Sequence, residues 1–435
     1  MAERFDVVVV GAGPAGAAAA LVAARAGRSV CLLERGPFPG SKNLYGGVVY
    51  LRVLDDLVPR WWEEVPVERW VTLRATMALT PTQALSVDFR TTAWGAEPYN
   101  GATALRPNFD SWLAGKAEQE GATLVCSTTA TGLLTDERSG SIRGVRVDRP
   151  GGEIEAGVII ACDGVNAFLA REAGCAGTPD AANFTLGVKE VLSMPSDEIE
   201  RRFALAEGEG ADYEIIGCTG GVPGGGFLYT NRDSIAVGLV LRIRDLAASG
   251  RRPEELLVEM KQHPAIRPLV AGTDLIEYGA HLIPEAGWKM MPKLATNGMM
   301  IAGDAAAMCL ATGVWLEGVN FAIGSGAAAG ATAVEALAAG DTSEHGLAGY
   351  RRRLESNFVL ADHKRLRRAH SLVLSDRIQQ RYPEMVCNLI EQMFTVDNPK
   401  PKSGLFRLAR REAKRSGLRV RDLARDTIDG LRTFG

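Results

Sequence analysis

Short apolar runs that end at a glycine or an acid mark the parallel strands that the sequence predicts. Residues 5–10 have the length and β-branched density of a buried parallel strand. Residues 14–27 are rich in alanine and predict a helix, and residues 29–33 predict a second strand with Glu34 at its end. Residues 297–304 repeat this style late in the chain. The pattern therefore predicts an N-terminal strand–helix–strand unit and a distant segment that belongs to it.

The segments between these two regions follow other patterns. Residues 105–120 predict a helix that Gly121 ends, and 69–89 contain alternating runs typical of antiparallel strands, among them 79–82 and 85–89. Residues 177–290 predict longer strands and a single helix, which is typical of an α+β sheet domain. The remaining predicted elements are strands at 123–135, 141–149, 154–161, 183–192, 213–218, 225–230 and 234–243, and helices at 167–173 and 253–262.

A chain of 435 residues with 46% hydrophobic content is long enough for more than one domain. Because the first pattern returns late, we predict a discontinuous dinucleotide-binding domain over residues 1–74, 101–176 and 291–345. The α+β sheet domain, residues 75–100 and 177–290, is inserted into it. Residues 346–435 are predicted to form a helical, basic C-terminal region.

The glycine-rich turn at residues 11–16 predicts the chemistry of the first domain. Gly11 would make a tight turn, Gly13 would let the backbone approach a pyrophosphate, and Gly16 would let helix and strand pack closely. The pyrophosphate would rest on the helix N-terminus, and Glu34 would accept a hydrogen bond from a ribose hydroxyl. The alternative is a glycine-rich turn without a ligand. The predicted contacts are Gly11, Gly13, Pro14, Ala15, Gly16, Glu34 and Arg35.

Two further strand ends carry an acid beside a glycine. Asp163 and Gly164 follow the strand at 154–161, and Gly303 and Asp304 follow the apolar run near residue 300. Asp304 precedes a small-residue helix, where it is placed to bond a ribityl hydroxyl. Each pair alone is equally consistent with a structural turn at a strand end.

Several classes of protein are disfavoured by the composition. Seven cysteines without a CxxC pair predict neither an iron–sulfur site nor a disulfide framework, and no metal site is predicted. The first strand begins within a few residues of Met1, which leaves no room for a signal peptide, so we expect a cytoplasmic protein. The apolar segments 299–316 and 322–339 contain Asp304 and Glu335, so neither is a convincing membrane span.

The three strand-end motifs, in this order and at these separations, resemble the glutathione-reductase-type flavoproteins. The branch is the one shared by aromatic hydroxylases, geranylgeranyl reductases and quinone-linked electron-transfer dehydrogenases. The resemblance covers about the first 340 residues. It implies an α/β fold with a Rossmann-like FAD-binding domain of the glutathione-reductase type, and it implies FAD as the cofactor.

Within that branch, five segments resemble the short bacterial FixC-type members of the electron-transfer-flavoprotein:quinone oxidoreductase family. The segments are 39–43, 46–50, 106–110, 291–293, and 303–306 followed by 318–326. The resemblance implies that Arg106 and Asp304 contact FAD and that Lys42 and Asn43 approach the isoalloxazine. These segments add Gly46, Gly47, Gly303, Gly318 and Asn320 to the predicted cofactor-binding set, and the second strand-end motif adds Asp163 and Gly164.

The sequence departs from the family pattern at two places. Longer members carry a ferredoxin-like module with four cluster cysteines, whereas only Cys387 follows Cys309 here. A cluster, if used, must then come from a separate ferredoxin-like iron–sulfur subunit. Ala307 stands where these proteins usually have glycine.

The implied function is electron transfer from an electron-transfer flavoprotein through FAD to quinone, with an electron-bifurcating complex as one setting. The flavin carries the chemistry, so no catalytic side chain is assigned. The glycines of 220–226 are interrupted by Pro223, so a nicotinamide domain is not predicted. The alternatives are a geranylgeranyl-type isoprenoid reductase, an FAD-dependent aromatic monooxygenase, and a non-catalytic subunit that holds FAD. Candidates for an apolar quinone approach are Tyr45, Val48, Val49, Trp288, Met290, Met291, Met308, Leu310, Val314 and Trp315.

The last 36 residues are basic, with eleven Lys/Arg against four Asp/Glu. Apolar residues recur there at partly helical spacing. Three interpretations stay open: a solvated helix pair, a docking surface for an acidic ferredoxin subunit, or attraction to anionic lipid on the cytoplasmic face of the inner membrane. Nucleic acid is not expected as a partner, because no aromatic interleaving accompanies the charge.

Overall fold

A computed structural model describes residues 3–43, 46–313 and 315–435. Contacts divide the chain into two compact units. Unit 1 comprises Met1–Glu68, Glu97–Asn183 and Leu282–Arg367, and unit 2 comprises Arg69–Ala96, Phe184–His281 and Arg368–Gly435. The division predicted from the sequence sets residues 346–435 apart, whereas the contacts share them between the two units.

The strands lie in both units. In chain order they are β1 Glu3–Val10, β2 Val30–Leu33, β3 Gly46–Val49, β4 Arg69–Leu79, β5 Ala84–Arg90, β6 Ala102–Leu105, β7 Thr123–Val125, β8 Ala130–Thr135, β9 Ile142–Val147, β10 Glu153–Ala161, β11 Thr185–Ser193, β12 Glu209–Ile216, β13 Gly224–Thr230, β14 Ser234–Arg242, β15 Leu275–Ile283, β16 Ala295–Thr296, β17 Met299–Ile301, β18 Leu310–Ala311 and β19 Leu316–Glu317.

The α-helices are α1 Pro14–Arg25, α2 Arg106–Gln119, α3 Phe168–Glu172, α4 Ser196–Phe203, α5 Ile243–Ser249, α6 Pro253–Gln262, α7 Arg267–Val270, α8 Val319–Ala339, α9 Gly349–Ser356, α10 Phe358–Arg365, α11 Ala369–Val373, α12 Tyr382–Phe394, α13 Leu405–Arg415 and α14 Val420–Phe434.

Unit 1 is built on a sheet with a parallel centre. Its strand order is β16-β17-β10-β1-β2-β7, with β9 paired to β10 and β8 paired to β9. Strands β17, β10, β1, β2 and β7 run parallel, so their carboxyl ends meet at one edge of the sheet. The apolar residues of β1 and β2 are buried, as expected for central parallel strands. This α/β sheet confirms the predicted fold class, and its carboxyl edge is where an α/β fold binds a ligand.

Helices α1 and α8 pack closely because small residues line their contact. A Cβ added at Gly326 would lie 1.9 Å from the carbonyl oxygen of Ala15, and one at Gly330 would lie 2.5 Å from that of Ala19. Helix α8 is long and apolar enough to be a membrane span by length and composition, but 67% of its apolar window is buried. The second segment considered as a span is therefore a helix that packs against α1. The described residues of the first, 299–316, form β17, a short 3-10 turn at Gly303–Ala306, β18 and the start of β19, and contain no α-helix.

Unit 2 contains a mixed sheet in the order β15-β11-β14-β13-β12-β4, with β5 paired to β4. One face carries an apolar core that includes Leu73, Val188, Ile215 and Leu239, packed with residues of α4, α6 and α7. Helices α11, α12, α13 and α14 belong to this unit. Arg377 forms two hydrogen bonds of 2.5 Å with Asp426 and so ties the segment before α12 to α14.

Three local predictions were wrong. Residues 123–135 form two strands, because 126–129 turn between β7 and β8. Residues 79–82 are the end of β4 and its turn. The single helix predicted within 177–290 is α6, and α4, α5 and α7 are additional. Helix α4 is short and mostly charged, with buried Ile199 and Phe203 as its apolar stripe, so its signal in the sequence is weak.

Candidate functional site

The glycine-rich turn lies at the carboxyl ends of three parallel strands. Gly11 has a φ of +100°, and a Cβ there would lie 2.3 Å from the carbonyl oxygen of Cys162. A Cβ at Gly16 would lie 1.8 Å from the carbonyl oxygen of Gly11. These two positions therefore require glycine. Gly13 differs, because the nearest atom to its added Cβ is Nη2 of Arg106 at 3.8 Å.

The N-terminus of α1 opens onto the space beside Gly13. Gly13 is the N-cap residue and has no side-chain cap, Pro14 occupies the first turn, and that turn contains no acid. The first N–H groups of a helix have no intrahelical acceptor and carry partial positive charge. This helix end can therefore accept a phosphate group.

Glu34 is fixed at the end of β2 by backbone amides. Its Oε2 accepts a hydrogen bond from the N–H of Ala12 at 3.2 Å, and its Oε1 accepts one from Gly36 at 2.7 Å. The carboxylate is buried beside the glycine turn. A carboxylate has about four acceptor positions, so two amide donors leave capacity for ribose hydroxyls.

Arg106 forms a bidentate ion pair with Asp110 one turn along α2. Nε donates to Oδ1 at 2.6 Å, and Nη2 donates to Oδ2 at 2.8 Å. The side chain of Asn43 also hydrogen-bonds to Asp110. Burial raises the pKa of Asp110, and the Arg106 charge, its hydrogen bonds and Asn43 act in the opposite direction. Asp110 thus holds the guanidinium near Gly13 and connects it to the loop that contains Asn43.

The two later acids lie in turns that pack near the start of α1. Oδ2 of Asp163 accepts the N–H of Leu169 at 3.1 Å, whereas its Oδ1 is buried and has no hydrogen-bond partner among the described residues. Burial raises the pKa of Asp163. Gly303 has a φ of +66°, and its N–H donates to Oγ of Ser325 in α8 at 3.0 Å. Asp304 lies in the turn Gly303–Ala306.

The N-terminus of α8 is a second helix end without a side-chain cap. Gly318 is its N-cap, and its first turn contains no acid. Nδ2 of Asn320 donates to the carboxylate of Glu317 just before the helix. The helix dipole would stabilise a negatively charged group at this end, and the contribution is about 0.3–1 kcal/mol.

These features fit FAD. The open helix end at Gly13 and the Arg106 guanidinium suit a pyrophosphate, and Glu34 suits the adenosine ribose. The unpartnered Oδ1 of Asp163 is an acceptor suited to a further hydroxyl or ring N–H group. The N-terminus of α8 suits the electron-rich edge of a reduced flavin. The arrangement defines an FAD-dependent oxidoreductase with a Rossmann-type cofactor domain.

The comparisons give the family within that class. A family model described as FAD dependent oxidoreductase matches residues 6–194. One described as ETF-QO, ubiquinone-binding matches 184–283, and one described as ETF-QO/FixC family C-terminal domain matches 369–435. The chain is 39% identical over 430 residues to a probable electron transfer flavoprotein-quinone oxidoreductase, YdiS, of Escherichia coli K12, with 98% of each chain covered. It is 37% identical to the FixC protein of Azotobacter vinelandii, covering 97% of this chain and 96% of that one.

This chain belongs to the electron transfer flavoprotein-quinone oxidoreductase/FixC family, which confirms the resemblance read from the sequence. Among solved structures, a geranylgeranyl bacteriochlorophyll reductase-like protein from Thermoplasma acidophilum superposes with a TM-score of 0.72. It is 19% identical, and the match covers 96% of this chain and all of that one. The flavin-dependent brominase Bmp2 has a TM-score of 0.65 at 14% identity, over 98% and 99% of the two chains. Likeness at these identities shows the fold alone.

Four other predicted cofactor-binding residues lie in the loop after β2 and in β3. Arg35 and Lys42 are exposed. Gly46 and Gly47 lie in β3, where they pair with Leu105 and Ala104 of β6, directly before Arg106. The contact of each predicted residue with FAD remains a prediction. Of the quinone-approach candidates, Val48, Val49, Met308 and Leu310 are buried, Trp288, Met290 and Met291 are half-buried, Trp315 is partly exposed, and Tyr45 and Val314 lie outside the described residues.

Ala307 adopts the conformation that glycine would favour. Its φ is +55°, in the left-handed region, at the end of the turn Gly303–Ala306. For an L-residue this conformation costs roughly 1–2 kcal/mol. The N–H of Ala307 donates to the carbonyl oxygen of Asp304 at 2.9 Å, and the side chain is buried. Ala307 therefore occupies a left-handed position at which glycine would avoid this cost.

Two residues near the site were not assigned a role from the sequence. Asp110 stands four residues after Arg106 in a predicted helix, and this spacing is a usable signal for an ion pair. Ser325 holds Gly303 from twenty-two residues away in the chain. Only the packing of α8 reveals that partner.

Proposed function

We propose that this protein passes electrons from an electron-transfer flavoprotein through FAD to quinone. Full-length identity to the relative named as a probable electron transfer flavoprotein-quinone oxidoreductase carries the proposal. The match of residues 184–283 to a ubiquinone-binding family model supports quinone as acceptor. Bound FAD supplies two-electron or one-electron transfer at its isoalloxazine. The chain supplies the phosphate-binding helix end, the ribose acceptor Glu34, and the N-terminus of α8.

The iron–sulfur cluster, where one takes part, belongs to a separate ferredoxin-like subunit in this proposal. The described residues contain no group of three His, Cys, Asp or Glu suited to a metal ion. All seven cysteines are free thiols, and only Cys387 follows Cys309. These cysteines are therefore not grouped as the four ligands that an iron–sulfur cluster requires. The electron-bifurcating complex stays part of the proposal as the setting in which such a subunit would work.

Co-purification tests the partners directly. The tagged protein, isolated from its native cells, is expected to carry both electron-transfer-flavoprotein subunits and a small ferredoxin-like protein, identified by mass spectrometry. The Arg106→Met variant, purified in the same way, is the matched control. Proteins that co-purify equally with the wild type and with this variant bind independently of an intact FAD site. Recovery of the tagged protein without either flavoprotein subunit contradicts the donor, and recovery of the donor without a ferredoxin contradicts the separate cluster subunit.

We also propose that the C-terminal segment of unit 2 touches the membrane surface, on the cytoplasmic face of the inner membrane. Phe394 is 77% exposed and Phe406 is 92% exposed, and Val396 and Leu405 between them are exposed as well. The basic stretch, residues 400–435 with eleven Lys/Arg against four Asp/Glu, begins six residues after Phe394 and includes Leu405 and Phe406. Apolar side chains beside Lys and Arg are the composition by which a peripheral helix binds anionic lipid.

The double variant Phe394→Ser/Phe406→Ser is expected to lower binding to vesicles of phosphatidylcholine and phosphatidylglycerol at least about tenfold, since burying one such side chain contributes about 1.5–3 kcal/mol. Co-sedimentation measures the binding. Phe168→Ser in unit 1 is the matched control, because Phe168 is also exposed but lies outside the basic segment. Equal losses in both variants, or none in either, contradict the membrane role.

A further inference from the structure

The second face of the unit 2 sheet carries buried ionisable side chains. Side chains alternate between the two faces of a strand. Leu73, Ala211 and Ile215 point to the apolar core, so Arg74, Asp212 and Glu214 point to the opposite face. Arg74 of β4 lies directly opposite Asp212 of β12, and Glu214 is the next residue of β12 on that face.

One guanidinium holds two carboxylates in this cluster. Nε of Arg74 donates to Oδ2 of Asp212 at 3.1 Å, and Nη2 donates to Oε1 of Glu214 at 2.5 Å. Asp212 is 3% exposed and Glu214 is 8% exposed. Oδ1 of Asp212 is buried and has no hydrogen-bond partner among the described residues. When both carboxyls are ionised, Asp212 and Glu214 carry two negative charges against the single positive charge of Arg74. The cluster then has one negative charge in excess, and Oδ1 of Asp212 is an unused acceptor.

The excess charge favours a shared proton. Burial raises the pKa of Glu214, the neighbouring Asp212 raises it further, and Arg74 lowers it. Burial likewise raises the pKa of Asp212, against Arg74. Two carboxylates this close cannot both ionise easily in a desolvated site. The pair of carboxyls therefore holds one proton at low and neutral pH and loses it as the pH rises through the raised pKa of the pair.

The other groups on this face lie on the neighbouring strands. Phe227 and Tyr229 of β13 pair with Glu214 and Asp212, and their rings stack with centroids 4.9 Å apart. Lys189 of β11 lies in the same row beyond Gly238 of β14, and burial lowers the pKa of Lys189 to about 8, against the charge of Glu277. The face thus combines flat aromatic surface with ionisable groups of both signs.

We propose that the Asp212–Glu214 pair, oriented by Arg74, supplies a proton when quinone is reduced. The inference deepens the proposed function and rests on it. A quinone becomes a quinol by taking up two electrons and two protons. The electrons come from the reduced flavin. One proton leaves a carboxyl O–H of the pair and forms an O–H bond at a quinone oxygen, and the second proton and the one that restores the pair come from water. The pair lies on β12. This strand and strands β11, β13 and β14 of the same sheet lie within residues 184–283, the segment similar to the ubiquinone-binding family model.

The test compares three variants of the full FAD-loaded protein. Glu214→Gln and Asp212→Asn each remove one carboxyl of the pair. Glu190→Gln is the matched control, because Glu190 is a buried carboxylate on the core side of the same sheet, ion-paired with Lys261 at 2.5 Å. Each protein is photoreduced, mixed with a short-chain ubiquinone, and followed by flavin absorbance over a range of pH. A second readout needs no quinone: infrared difference spectroscopy detects the C=O stretch of a protonated carboxyl.

In the wild type, reoxidation of the flavin by quinone is expected to become slower as the pH rises through the pKa of the Asp212–Glu214 pair. Glu214→Gln is expected to be at least about 100-fold slower at neutral pH and to lose this pH dependence, as removal of a general acid requires. Its protonated-carboxyl band should disappear, whereas Glu190→Gln keeps both the profile and the band. Asp212→Asn gives a second test where Glu214→Gln does not fold.

Two contrary results are distinguishable. Where quinone reoxidises the wild-type flavin and both pair variants keep the wild-type pH profile and band, this inference alone is overturned. Where quinone fails to reoxidise the wild-type flavin at every pH, the proposed function fails, and the inference falls with it even though the band persists.

Discussion

Arg106→Met is expected to weaken FAD binding at least about tenfold and to lower the free energy of unfolding by about 3–5 kcal/mol, the range for breaking a buried ion pair. The variant removes the cation beside Gly13 and leaves Asp110, which is fully buried, without its bidentate partner. Fluorescence titration with FAD measures the affinity, and urea unfolding of the apoprotein measures the stability.

The pH dependence of this variant follows from the raised pKa of Asp110. Burial already raises that pKa in the wild type, and loss of Arg106 raises it further. A carboxyl with a raised pKa binds its proton more tightly in the folded state, so it favours folding at low pH, and this stability is lost as the pH rises. The deficit of Arg106→Met should therefore shrink in acid. Adding Asp110→Asn should restore most of the stability but not the FAD affinity, and recovery of both would contradict the role of Arg106 at the pyrophosphate.

Gly326→Ala is expected to destabilise unit 1 by about 3 kcal/mol or more, at the upper end of overpacking costs. Its methyl group would lie 1.9 Å from the carbonyl oxygen of Ala15, which is backbone and cannot turn aside. Separation of α8 from α1 would also displace Gly303, because Gly303 packs against Ala15 of α1. A Cβ added at Gly303 would lie 2.9 Å from the Cβ of Ala15. We expect the variant to lose FAD during purification, as measured by the ratio of flavin to protein absorbance.

Gly115→Ala is the matched control for that variant. Gly115 lies inside α2, and nothing lies within 4 Å of its added Cβ. Alanine in a helix interior is favoured over glycine by about 0.5–1 kcal/mol. The control should therefore raise the unfolding midpoint and keep FAD. A loss of FAD from Gly115→Ala as large as that from Gly326→Ala would contradict the close packing of α1 and α8 as the cause.

The sequence predicts correctly those parts of the site whose elements follow one another directly in the chain. Strand β1, the turn at Gly11 and helix α1 follow one another directly, so their spacing carries the geometry. Helix α2, predicted over 105–120, is found at Arg106–Gln119 for the same reason. The C-terminal helical region, which confirms that part of the fold prediction, has a strong helical pattern of its own.

The remainder depends on partners that are distant in the chain. Arg74 and Asp212 meet only because β4 and β12 pair in parallel with one particular register, and neither strand indicates that partner. The contact of Gly326 with Ala15 depends likewise on how two helices cross. Helices α4, α5 and α7 were missed because each is short and its apolar stripe has only a few residues, so tertiary contact stabilises more of it than local pattern does.

Rapid mixing of the FAD-loaded protein with reduced electron-transfer flavoprotein and a short-chain ubiquinone tests the central claim most directly. Flavin absorbance is followed first with the reduced flavoprotein alone and then after quinone is added, with NADH and NADPH as separate donors. The account predicts fast reduction by the flavoprotein, fast reoxidation by quinone, and slow reduction by either nicotinamide. Rapid reduction by NADH or NADPH, or a reduced flavin that quinone does not reoxidise, would contradict it.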